Sequence, residues 1–175
     1  TPGYSVATDG MRMAFVESKY QGADIIIPAE TIRQFPDIDG KVSVSDTQMI
    51  IKGDNAIFST GLIDAKFPDW QRIIPSDFDI EIKANSGELL SAIKTAQIGG
   101  DMVRFNITKD VAVLKNDGAE TECDIVSTGD IEIGFMSHFL IDAITASNST
   151  ELVIKMKAGK ACIINDTFIV MPVKL

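Results

Sequence analysis

The chain has 175 residues, 45% of them hydrophobic and 23% charged, with a formal net charge of −9. That is globular composition, long enough for one or two cored domains, and the excess of acid argues against a protein that grips nucleic acid through a broad basic surface. Apolar runs such as residues 25–27 and 168–172 fall far short of the roughly 20 residues of a bilayer span.

No basic segment followed by an apolar stretch opens the chain, so no secretion signal is expected. A first residue of Thr rather than Met reads as a chain that begins inside a longer protein. Cys123 and Cys162 lie in alternating runs with no CxxC neighbour, which predicts buried, reduced thiols.

In chain order, the first expected element is a hairpin, residues 4–8 and 13–17, bent at Asp9-Gly10. A first unit follows. It has a strand at 24–27, a helix over 28–35 begun by Pro28 and stopped by Pro36, and strands at 41–44, 49–52 and 57–62. Their turns are Ser45-Asp46-Thr47-Gln48 and Gly53-Asp54-Asn55.

The second unit starts with an alternating strand at 78–82. Its helix spans 86–98, capped by Asn85 with Glu88 three residues on, and is closed by Gly99-Gly100. Leu89, Leu90, Ile93 and Ala96 form its buried stripe. Strands follow at 103–108, 111–115 and 120–126, turned by Lys109-Asp110 and Asn116-Asp117-Gly118. The third unit has a strand at 131–135, a helix over 138–146 capped by Ser137, and strands at 152–157, 161–165 and 168–173, with a turn at Ala158-Gly159-Lys160.

The same order thus recurs: short strand, short helix, then antiparallel strands. One such unit cannot bury both faces of its sheet, whereas two can by laying their helices side by side on joined sheets. The expected class is α+β. Residues 76–175 make one such pair, and the first unit lacks its partner. The chain ends TFIVMPVKL, apolar where a free terminus is usually polar. Such a strand can face a core on one side and a groove on the other.

Three segments carry a family resemblance: Ala7-Thr8-Asp9-Gly10-Met11-Arg12-Met13-Ala14, Lys66-Phe67-Pro68-Asp69-Trp70-Gln71-Arg72-Ile73-Ile74-Pro75, and Val170-Met171-Pro172-Val173-Lys174-Leu175. In this order, and over this repeat, the chain resembles the bacterial DNA polymerase III beta subunits, the beta sliding clamps. The resemblance covers the whole chain and implies the DNA-clamp fold. Residues 1–75 correspond to the second half of the clamp middle domain, and 76–175 to the C-terminal domain. In this family two three-domain subunits close head to tail around duplex DNA and confer processivity on the replicative polymerase.

The resemblance also implies a hydrophobic docking pocket for short partner peptides. Its walls here are Thr8, Gly10, Met11, Arg12 and Met13, then Pro68, Arg72 and Ile73, then Ile169, Val170, Met171, Pro172, Val173 and Lys174. Met11 stands where the family usually has His, and Lys174 where it commonly has Arg. Met and branched aliphatics suit varied Leu and Phe anchors, and Arg12 and Arg72 can hydrogen-bond a peptide's carbonyls or acids at the rim.

The implied partners are duplex DNA, the replicative polymerase, the clamp loader and other proteins bearing the clamp-binding motif. A homodimer is implied for the full-length form, the setting is cytoplasmic, and no membrane is involved. A ring holds DNA by topology, so net acidity is no obstacle and local potential matters more. Lys94 and Arg33 are the basic residues on the helices expected to face the duplex. For the subunit contact the matches are Gln97, Ile98, Glu120, Glu122 and Asp124, although Gly99-Gly100-Asp101 is shorter than the family's usual loop.

No catalytic constellation is legible. His138 is the only histidine, there is no G-x-S-x-G, P-loop or metal-ligand cluster, and Asp9 and Asp69 lie at turns. Neither catalytic residues, metal nor cofactor are expected. The alternative to a clamp is a peptide-binding scaffold module without ring function.

Overall fold

The computed structural model describes residues 3–20, 22–35 and 38–175. In chain order the elements are β1 (Gly3–Thr8), β2 (Arg12–Ser18), α1 (Ala29–Arg33), β3 (Gly40–Val44), β4 (Gln48–Gly53), β5 (Ile57–Gly61), β6 (Ile80–Asn85), α2 (Ser86–Ala96), β7 (Met102–Ile107), β8 (Val111–Asn116), β9 (Ala119–Ser127), β10 (Ile131–Met136), α3 (Ser137–Ser147), β11 (Glu151–Met156), β12 (Cys162–Ile164) and β13 (Phe168–Val170), with short 3₁₀ turns at Trp70–Ile73 and Gln97–Gly99. They fall into two compact units, a smaller one over Lys19–Gln71 and a larger one made of Tyr4–Ser18 and Arg72–Leu175.

The smaller unit carries α1 and the antiparallel sheet β3-β4-β5. Ser45 and Gln48 close one hairpin, the Gln48 amide donating to Ser45 Oγ at 3.2 Å, and the Gly53 amide donates to Ala56 O at 2.9 Å in the other. The strand expected at 24–27 is not part of a ladder. A bond from the Ile63 amide to Ile26 O at 2.9 Å touches it once, and without a continuous partner an extended run does not become a sheet strand. Helix α1 is also shorter than expected and buries none of its residues. The stop read at Pro36 lies outside the described residues.

The larger unit is built on one sheet in the order β1-β2-β13-β12-β11-β6-β9-β8-β7-β10. Alternation decides which side chains face inward. On β7, Val103, Phe105 and Ile107 are buried while Met102, Arg104 and Asn106 are exposed. On β9, Cys123, Ile125 and Ser127 are buried between exposed Glu122, Asp124 and Val126. Helix α2 buries Leu89, Ala92, Ile93 and Ala96, and α3 buries Ser137, Leu140, Ala143 and Ile144. The two helices pack together over the sheet, as the pairing of the second and third repeats predicts. Leu90 is only partly buried, and Ala92 takes the place expected of it. Phe105 and Phe135 meet edge to face in this core, centroids 5.9 Å apart.

The ends of elements show where local chemistry decides. Asn85 Oδ1 accepts the Glu88 amide at 3.1 Å, the expected cap on α2. Ser137 does not cap α3. It is the first helical residue, and its hydroxyl donates to Asp101 Oδ1 instead. Asn148, left-handed at φ 48°, closes that helix. The strand expected at 161–165 stops at Ile164, because Asn165 and Asp166 both take left-handed φ, at 49° and 52°, and turn the chain tightly into β13.

Candidate functional site

The bend between β1 and β2 is fixed by its own side chains. Thr8 Oγ1 donates to Arg12 O at 2.8 Å and accepts the Gly10 amide at 3.1 Å. Asp9 Oδ1 accepts the amides of Met11 and Arg12, each at 3.0 Å. Gly10 sits at φ 89°, which an L side chain rarely adopts. Partial burial pushes the Asp9 carboxyl up, but the two amides and the Arg12 guanidinium outweigh it and hold it below the usual carboxylate range. Met11 is left 44% exposed at the tip.

The tail lies beside this bend. β13 pairs with β2 through Phe168↔Ala14, Ile169↔Met13 and Val170↔Arg12. Ladder pairing then stops, since Pro172 has no amide to offer. The Met171 amide still donates to Met11 O at 2.9 Å, and the Val173 amide donates to Gly134 O of β10 at 2.8 Å. Met171 is 38% exposed, whereas Met13, Ile169 and Val170 are 4% or less. Those three therefore form packing beneath the surface and offer no open face.

Arg12 has partners that the sequence did not reveal. It binds Asp9 Oδ2 through Nε at 3.0 Å and Asp142 of α3 through Nη1 at 2.5 Å. Its guanidinium also lies over the Phe139 ring, 4.8 Å from the centroid. Desolvation lowers the Arg12 pKa, but the hydrogen bonds and charges of Asp142 and Asp9 more than restore it. The guanidinium expected to bond a peptide at the rim is thus tied to α3. Phe139 stacks in turn on His138, centroids 4.1 Å apart, and His138 Nδ1 pairs with Asp101 Oδ2.

Of the remaining expected residues, Arg72 and exposed Ile73 lie in the turn Trp70–Ile73. Pro68 is exposed and belongs to the smaller unit. Lys94 and Arg33 are exposed in the last turns of α2 and α1, where cations are favoured by the helix dipole alone. Ile98 is 81% exposed. The loop beside it is braced, with Gln97 Nε2 donating to Asp101 Oδ1 at 3.3 Å and Asn116 Nδ2 donating to the carbonyls of Gly100 at 2.6 Å and Met102 at 2.7 Å. Glu120, Glu122 and Asp124 alternate along the exposed face of β9, and Glu120 pairs with Lys115 at 3.0 Å.

Both cysteines are buried free thiols. Burial raises the Cys123 pKa and pushes that of Cys162 up to about 12, so neither is a nucleophile at neutral pH. Among the described residues no group of three or more His, Cys, Asp or Glu side chains is arranged to hold a metal ion, and no helix is long and apolar enough to cross a membrane.

Known proteins resemble this arrangement. Residues 4–69 match the family described as DNA polymerase III beta subunit, central domain. A beta sliding clamp of Streptococcus pneumoniae is 26% identical over 172 residues, covering 86% of this chain and 46% of that protein. One of Staphylococcus aureus is 24% identical over 168 residues, covering 83% and 45%. A sliding clamp from Bartonella birtlesii, solved bound to griselimycin, superposes at TM-score 0.84 with 28% identity over 97% of this chain and 54% of that one. A Pseudomonas aeruginosa clamp reaches 0.87 at 23% identity, over 98% and 55%. The α+β fold is therefore the sliding-clamp fold, the chain spans about half the length of the relatives it matches, and its similarity throughout is to bacterial DNA polymerase III beta subunits.

Proposed function

We propose that this chain is the C-terminal half of a sliding clamp, with residues 1–75 from the middle domain and 76–175 the last domain. In the complete protein two such subunits close around duplex DNA in the cytoplasm. The subunit is non-catalytic and raises processivity by effective concentration, because a tethered polymerase rebinds before it diffuses away. Polymerase, clamp loader and other partners dock peptides with apolar anchors on the surface around Met11, Met171 and Pro172. Lys94 and Arg33 make weak, salt-dependent phosphate contacts, and Ile98 with the β9 acids meets the neighbouring subunit.

The observation that carries the docking reading is the bond between Met171 and Met11. It holds two half-exposed methionines, far apart in sequence, at one edge, and such thioethers reshape readily around varied anchors. Calorimetry with a short synthetic peptide carrying adjacent Leu and Phe tests it. Binding at about 1 μM is expected for the chain, in the range of −8 kcal/mol, and none for Met171→Asp. Absence of binding to the unaltered chain, or equal binding to both, sinks the docking reading.

A further inference from the structure

Glycine inside a strand weakens it, because it is the most flexible residue and brings no side chain to pack. Gly134 nevertheless stands within β10, paired with Arg104 of β7. Its backbone is not left-handed, so the strand itself does not call for glycine there. What comes close there is the tail. A Cβ at Gly134 would lie 2.7 Å from Leu175 Cδ2 and 3.0 Å from Val173 Cγ2, too close for carbon atoms. Gly134 O also accepts the Val173 amide, in an isolated antiparallel bridge.

The repeat shows why this bridge matters. In the second unit the leading strand β6 pairs with its own unit's last strand, β9, through Ile82↔Ser127, Lys83↔Val126 and Ala84↔Ile125. In the third unit the leading strand β10 meets its own unit's last segment at Gly134↔Val173 alone. β10 closes the strand order, so the tail supplies the partner on its outer edge. The chain between the two anchored amides, Met171 and Val173, contains Pro172 and is held by Met11 of the bend before β2 on one side and by Gly134 of β10 on the other.

We propose that Gly134 is a positioning residue for the docking surface. By leaving room for Val173 and Leu175 on β10, it sets where Met171 and Pro172 stand against Met11. The inference rests on the docking reading above. Valine is a better strand former than glycine, so Gly134→Val leaves the β10 ladder intact while removing the seat of the tail. The experiment compares Gly134→Val with the unaltered 175-residue chain by thermal unfolding, amide exchange at Met171 and Val173, and calorimetry with the Leu-Phe peptide.

The expected result is an unchanged unfolding midpoint, exchange at Val173 about tenfold faster, and affinity about tenfold weaker, each a step of roughly 1.4 kcal/mol. A folded variant that binds as tightly as the unaltered chain overturns the proposal. Should Gly134→Val not fold, Gly134→Ala takes its place, and adding Leu175→Ala, which removes the nearer of the two clashing atoms, restores binding. Gly134→Ala binding like the unaltered chain overturns the proposal too. If the unaltered chain binds no peptide, the docking reading fails separately. The exchange data then still decide the tail's seat, and unchanged exchange at Val173 counts against it.

Discussion

The smaller and larger units carry the same repeating plan, yet they bury very different amounts of it. Among the described residues Met49 is the only buried hydrophobic of the smaller unit, while the larger one holds a continuous core from Ile82 to Val170. Val42, Ile50, Ile57 and Ile63 of the smaller unit remain exposed. Composition does not explain this, since both segments are rich in branched aliphatics. Pairing does. α2 and α3 cover one sheet between them, whereas α1 has only five residues and no buried side chain. A repeat of this kind becomes a core only when a second copy closes over it.

The sharpest way to break this comparison is to remove a core side chain from each unit. Phe135→Ala should cost about 3–5 kcal/mol in denaturant unfolding, because its neighbours are held on all sides, whereas Met49→Ala should cost nearer 2, since a thinly covered sheet can relax. Equal losses would mean that the smaller unit is as tightly packed as the larger. A smaller effect tests the helices. Asn85→Ala removes the side-chain cap of α2 and should cost about 1 kcal/mol, while α1, which starts at Pro28 with no side-chain cap, has no such bond to lose.

The smallest expected effect is electrostatic. Partial burial raises the Asp101 pKa, but the hydrogen bonds from Ser137 and His138 outweigh it and hold the carboxyl below its usual value. A carboxyl depressed on folding stabilises the protein above its unfolded pKa, about 3.9, and that contribution is lost as pH falls toward the folded value. Urea unfolding of Asp101→Asn should therefore be weaker than that of the unaltered chain at neutral pH and show a flatter decline below about pH 4. An identical acid decline in both would remove Asp101 from the account.

Strands were legible wherever one face is buried, because alternation of period two is written directly in the sequence, as in Val103, Phe105 and Ile107. Their ends were not. Asn165 and Asp166 read equally well as the end of a strand or a turn, and only the tight link to β13 decides. Ser137 looked like a cap because Ser often is one, but Asp101, a residue 36 positions earlier, captures its hydroxyl. The strand read at 24–27 had the right residues and lacked a continuous partner.

At the site, the hairpin and tail were recognisable as motifs, and their bend chemistry follows from Thr8, Asp9 and Gly10. The link from Arg12 to Asp142 and Phe139 is invisible in one sequence, since it joins residues some 130 positions apart. Gly134 did leave a signal. A glycine inside the alternating run Ile131-Glu132-Ile133-Gly134-Phe135 marks a place where other chain comes close.

Ile98 owes its prominence to what braces the loop beneath it. The amide of Asn116 grips two carbonyls of that loop, and Asp101 collects bonds from Gln97, Ser137 and His138. The isoleucine is presented on a stiff ledge rather than a wandering strand of chain. A surface that came to cover it would find its shape already prepared, so little conformational freedom remains to be lost when the contact forms.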